Sequence, residues 1–192
     1  MSVSSRARQP LALIALHWAT ALTLLGAFAL ILVRELAEEK PLRLLLLDSH
    51  RSLGMLVLVM TALRLVVRRR KVELVEERAH RVGAAVGHVA LYLLLLTLPV
   101  LGWATSNAMG HAVSVFGLFH LPVLVATSPD LADELVDLHG VLAWTLFGVV
   151  TLHAMAACWH HFVLRNDVLR AMLPRRRRLA GISPVSSDIL EV

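Results

Sequence analysis

Four long apolar stretches, at about 11–33, 44–67, 83–105 and 138–163, constrain this chain more than any other feature. A helix that crosses a bilayer needs roughly 20 consecutive, mostly apolar residues, and each stretch supplies them. In hydrocarbon every backbone N–H and C=O must be paired internally, so such segments fold as helices. The composition agrees: 57% of the 192 residues are hydrophobic and the mean hydropathy is +0.71. Soluble domains usually have about 45–50% apolar residues. The expected class is therefore all-α, an integral membrane four-helix bundle. A single span-bearing domain over 1–178 is expected, with a polar tail, 179–192, that lacks fixed structure. The leading "MSVSSRARQP" runs into the first apolar stretch without a small-residue cleavage site, so that stretch reads as a permanent span rather than a signal peptide.

The basic residues orient the spans. Arg6 and Arg8, then Arg64, Arg68, Arg69, Arg70, Lys71, Arg78 and Arg81, then Arg165, Arg170 and Arg175 to Arg178 all fall on one side. Arg34, Lys40, Arg43 and Arg51 fall on the other. The positive-inside rule then puts both termini in the cytoplasm. The same rule explains the "RRRR" run as a topology signal, not a nucleic-acid site. The third connection, from Ser106 to about Asp137, holds no Lys or Arg. Its "AVSVFGLFHLPVLV" is apolar but too short to span. It is expected to lie along the outer interface as a short helix, or to cap whatever the bundle holds.

Histidines within spans are rare and usually functional. His139 and His153 are fourteen residues apart in the fourth span. That interval is close to four helical turns, ~21 Å along the axis, so both imidazoles share one face at two depths. Topology puts His50 at the depth of His139, near the outer side, and His17 at the depth of His153, near the cytoplasmic side. Two imidazole pairs result, one above the other. A zinc site wants four ligands, or three and a water, and each depth offers only two well-placed histidines. Cys158 is the lone cysteine, which excludes a disulfide, a thiolate zinc site and a cysteine-ligated iron–sulfur cluster, and no CxxCH occurs for covalent haem attachment. A flat macrocycle ligated on both faces fits: two b-type haems, with axial pairs His17–His153 and His50–His139.

Neighbouring residues extend the pattern. Gly54 lies one turn beyond His50, where a missing side chain leaves room for a porphyrin. Arg64 is fourteen residues after His50, on the same face at the cytoplasmic depth, where a haem propionate would be its anion. Plain helix packing accounts equally for Gly54, and snorkelling to headgroups for Arg64. Arg51 is placed to serve the outer haem or attract an anion. His88 enters the third span from the cytoplasm, as a rival ligand to His17 or as a quinone or propionate contact. His160 and His161 end the fourth span at the headgroups, where interfacial solvation competes with quinone binding or proton delivery. His80, His111 and His120 lie outside the spans.

The chain resembles the bacterial dihaem cytochrome b561 family, and within it the small stand-alone superoxide oxidases. The resemblance rests on "LHW" at 16–18, "SHRSLGMLVLVMTALRLVVRR" at 49–69, "GHVALYLLLLTLPVLG" at 87–102, "FGLFHLP" at 116–122 and "LHGVLAWTLFGVVTLHAMAACWHHFVLRNDVLRAMLP" at 138–174. It implies ligand roles for His17, His50, His139 and His153. It also implies location in the bacterial inner membrane, ubiquinone as electron acceptor and periplasmic superoxide as donor. Arg51 and Arg43, nearest the outer haem, would meet the superoxide anion. His88, His160, His161 and Arg81 are the candidates to orient the quinone. The alternative is a cytochrome b subunit that links a periplasmic dehydrogenase or hydrogenase partner protein to the quinone pool. A third class is a non-redox bundle with unligated histidines.

Overall fold

The computed structural model describes residues 10–69, 78–165 and 168–173. In chain order it contains α1 (Leu11–Leu36), α2 (Lys40–Arg69), α3 (Arg78–Ala108), β1 (Ser114–Val115), β2 (Phe119–His120), α4 (Pro129–Phe162) and a short 3-10 turn at Arg170–Met172. Among the described residues, these four helices are long and apolar enough to cross a membrane. The expected 179–192 tail lies outside the described residues.

Several helix boundaries have a local cause. Pro10 starts α1, its carbonyl accepting from the Leu13 N–H at 2.9 Å. At the other end Arg34 occupies the last turn, where a cation complements the helix dipole. The α1–α2 turn is closed by the Arg43 guanidinium, which donates to the Ala37 carbonyl at 3.2 Å. Ser128 caps α4, its hydroxyl accepting from the Leu131 N–H at 3.4 Å, and Pro129 follows at the first helical position. The cap starts α4 well before residue 138, where the apolar run begins. Asp130, Asp133, Glu134 and Asp137 thus belong to a helix, not to the connection.

The third connection is not helical. Ser114 pairs with His120 and Val115 with Phe119 in an antiparallel hairpin. Its turn has Phe116 at φ 52° and Gly117 at φ 70°; positive φ at both central positions is the demand of a type I′ turn. The hairpin is tied to α2: the Ser52 hydroxyl accepts from the Phe116 N–H at 2.9 Å and donates to the Ser114 carbonyl at 3.4 Å. Asn107, buried at the end of α3, accepts from the Leu124 N–H and donates to the His111 carbonyl. Trp103 donates to the Pro122 carbonyl at 3.1 Å. These side chains replace the ladder that so short a hairpin cannot supply for itself.

Helix α1 packs along α2, α3 along α4, and α2 against α3. Among the described residues α4 makes no comparable backbone approach to α1 or α2. The core is a layer of Val57, Leu95, Leu98 and Leu146, flanked by Leu24, Phe28, Leu91, Leu94, Leu142, Ala143 and Val150. Leu146 lies midway between His139 and His153 in sequence, and Val57 midway between His50 and Arg64. The apolar layer therefore fills the depth between the two histidine levels.

Leu146 is 2% exposed whereas Val141, on the same helix, is 64% exposed. A buried Leu→Ala change costs about 2–5 kcal/mol through lost contacts and the cavity left behind. Leu146→Ala should lower the melting temperature in detergent far more than Val141→Ala; equal shifts would contradict this core.

Candidate functional site

The structure brings together both histidine pairs expected from the spacing. His50 on α2 and His139 on α4 face each other with ring centroids 6.3 Å apart and ring planes inclined at 75°. His17 on α1 and His153 on α4 do so at 6.4 Å and 71°. Two axial imidazoles on one metal, with metal–nitrogen bonds of ~2 Å plus the two ring radii, have centroids roughly 6 Å apart. Both pairs are at that separation before any group is placed between them.

The imidazoles are held in ways that suit ligation. Nδ1 of His50 is 2.8 Å from the Ala27 carbonyl of α1. That carbonyl accepts only from a protonated Nδ1, which leaves the Nε2 lone pair free for a metal. His139 is held differently. Its Nδ1 is buried and makes no hydrogen bond of good geometry, with the Leu98 carbonyl within electrostatic reach. Its ring instead rests on Gly102 of α3, where an added Cβ would come within 3.1 Å of Cε1. Gly54 has no heavy atom within 4 Å of where its Cβ would stand, an open face one turn from His50. Among the described residues no three His, Cys, Asp or Glu gather as metal ligands. The donor set is thus two imidazole pairs on either side of an apolar layer, which fits a bis-histidine haem at each level.

The cations are placed unequally. Arg64 stacks over Tyr92, with its guanidinium carbon 5.7 Å from the ring centroid, and lies within electrostatic reach of His17 and His153. At the outer level Arg51 and Arg34 lie within electrostatic reach of His50. Arg51 donates to Asp48 at 2.9 Å. Arg43 is engaged in the α1–α2 turn, with the Ala37 carbonyl and, at 4.0 Å, Glu35. Arg34, Gly102 and Ser52 were not among the sequence-derived site residues.

His88 on α3 approaches His153 edge-on, with centroids 5.5 Å apart, so three imidazoles meet at the inner level. His160 and His161 occupy the last turn of α4, the His161 ring against Phe162 at 4.8 Å. His111 and His120 are in the connection and its hairpin, and Arg81 has its side chain outside the described residues, as does His80. Trp18, beside His17, donates to the Met172 carbonyl at 2.7 Å and ties the segment after α4 to α1.

A bundle of four membrane-spanning helices with two stacked imidazole pairs defines a membrane cytochrome b. The sequence model of prokaryotic cytochrome b561 matches residues 8–175, and the chain belongs to that family. It is similar to cytochrome b561 homolog 2 of Escherichia coli K12, 37% identical over 102 residues, which cover 53% of this chain and 54% of that relative. The chain thus aligns with about half the length of that relative. It is similar over much more of its length to the probable superoxide oxidase CybB of Yersinia pestis, at 34% identity over 85% of this chain and 94% of the relative. Cytochrome b561 homolog 1 of E. coli K12 is 28% identical over 84% of this chain and 94% of the relative. The protein is accordingly a multi-pass bacterial membrane protein of electron transfer, in a family that binds b-type haem.

The contact at Gly102 gives a test. Gly102→Ala should displace the His139 ring and alter the haem absorption spectrum or haem content of the purified protein. Gly148→Ala, at an exposed glycine with no atom within 4 Å of its added Cβ, should leave both unchanged. An unaltered spectrum in Gly102→Ala would contradict the placement of His139.

Proposed function

We propose that this cytochrome is a superoxide:ubiquinone oxidoreductase of the bacterial inner membrane, with both termini cytoplasmic and two b haems. His50 and His139 hold one haem near the periplasmic side, and His17 and His153 hold the other near the cytoplasmic side. The observation that carries this reading is the pair of matched separations, 6.3 and 6.4 Å, at two levels of one bundle. When bound, the two groups supply one-electron redox chemistry, and the protein supplies ligation, spacing and polarity.

The balance is two superoxide anions, one ubiquinone and two protons giving two O2 and one ubiquinol. Superoxide gives up its electron at the His50–His139 level, where Arg51 and Arg43 of α2 meet the anion. The Leu146 layer keeps water from the path between the levels. At the inner level ubiquinone needs protons as well as electrons, and His88, His160, His161 and Arg81 are the residues assigned to orient it and pass them. Arg64 offsets negative charge beside His17 and His153. The similarity to a probable superoxide oxidase over most of both chains supports superoxide as the donor.

A second reading makes the chain the quinone-linked cytochrome b subunit of a periplasmic dehydrogenase or hydrogenase. Phe116, Leu118 and Phe119 of the hairpin favour it, being 54%, 80% and 54% exposed at the outer end of the bundle. One experiment separates the two. Stopped-flow mixing of the oxidised, purified protein with superoxide should reduce the haem faster than superoxide dismutates. Reduction no faster than dismutation would overturn the superoxide reading, and rescue by a partner enzyme would establish the second.

A further inference from the structure

Around the α1–α2 turn and the first part of α2, Glu35, Glu38, Glu39, Lys40 and Asp48 are exposed, whereas Arg34, Arg43 and Arg51 are partly buried. Arg51 and Arg34 are the deeper cations, with side chains 14% and 26% exposed, against 62% for Glu35 and Asp48. Arg34 is seven residues beyond Ala27, so it lies on the same face of α1, two turns further out. Ala27 is the residue whose carbonyl fixes His50. Arg34 donates through one terminal nitrogen to Glu35, but its Nε is buried and has no hydrogen-bond partner. A guanidinium presents five N–H donors in a planar fork. Here one end of the fork meets an outward carboxylate and the Nε edge is turned into the protein with nothing to accept it. Buried donors of charged groups are otherwise almost always satisfied.

We infer that Arg34 of α1, with Arg51 of α2 as a second cation, is the carboxylate-binding clamp of the outer site and takes a propionate of the haem held by His50 and His139. The inference rests on the two-haem reading above. A b haem carries two carboxylates that would need basic partners, and these two arginines lie within electrostatic reach of His50. Arg64 stands in the corresponding relation to His17 and His153 at the inner level, so each histidine pair has inward-facing basic charge. Arg34 is a positioning residue: it fixes how the outer haem is seated without touching the donor of electrons.

The test is haem loss, because esterified haem has no carboxylate for the clamp to hold. Apoprotein is loaded either with haem or with haem dimethyl ester, and the rate of transfer to a soluble haem-binding acceptor is followed optically. The outer component is assigned as the one missing from His50→Ala. With haem, Arg34→Gln should speed outer loss about tenfold, the usual scale of one charge-assisted hydrogen bond, and leave the inner component unchanged. Arg34→Lys, which keeps charge but has no Nε, should fall between. With the dimethyl ester neither variant should speed loss. Equal acceleration with both haems would mean that Arg34 holds another anion, and no acceleration with either would remove the clamp; each overturns the inference. Should Arg34→Gln fail to accumulate, the same comparison with Arg34→Lys decides it. A wild-type protein with one haem component would instead overturn the two-haem reading.

Discussion

Everything in this bundle is arranged around two pairs of imidazoles that face one another across an apolar interior. Rings with centroids 6.3 and 6.4 Å apart are too far to hydrogen-bond directly and are at the separation two imidazoles on one metal would have. A polar group in hydrocarbon without a partner is costly. On the two-haem reading, a centre shared by both members of a pair would relieve both at once. Among the described residues α4 meets α1 and α2 through side chains, with Phe28 against Phe147 and Leu146 in one layer with Val57, rather than backbone to backbone.

The two levels are alike in their imidazole pairs and unlike in their support. His50 is fixed by a hydrogen bond to Ala27, and His139 by contact with Gly102. The hairpin after α3 is pinned two residues from His50 by Ser52. At the inner level His88 adds a third imidazole, and Trp18 ties down the segment that follows α4. A site that only passes electrons needs little more than ligation. On the proposed reading the inner level must also deliver protons to a quinone, and His88 adds one titratable group beside His153 there.

Much of this was legible in the sequence because membranes impose simple rules. Length and hydropathy yield the four helices, and the fourteen-residue interval yields the shared face of His139 and His153. Depth then pairs them with His50 and His17. The remainder depended on non-local or unusual features. Ser128 and Pro129 are a readable helix start, but they are polar residues outside the apolar run, so α4 is longer than hydropathy suggests. The hairpin is hidden because a phenylalanine, not a glycine or asparagine, occupies the first positive-φ position of its turn. Gly102 and Ala27 act through backbone or through a missing side chain, and neither leaves a chemical signature. Arg34 reads as an ordinary residue of the α1–α2 turn until its Nε is found to be buried.

The central claim is that each histidine pair holds its own haem. The most direct measurement is the haem-to-protein ratio of the purified cytochrome and of its His139→Ala and His153→Ala variants. Two haems per chain in the wild type, and one in each variant with different residual spectra, is the predicted result. A single haem in the wild type, or two retained in either variant, would contradict it.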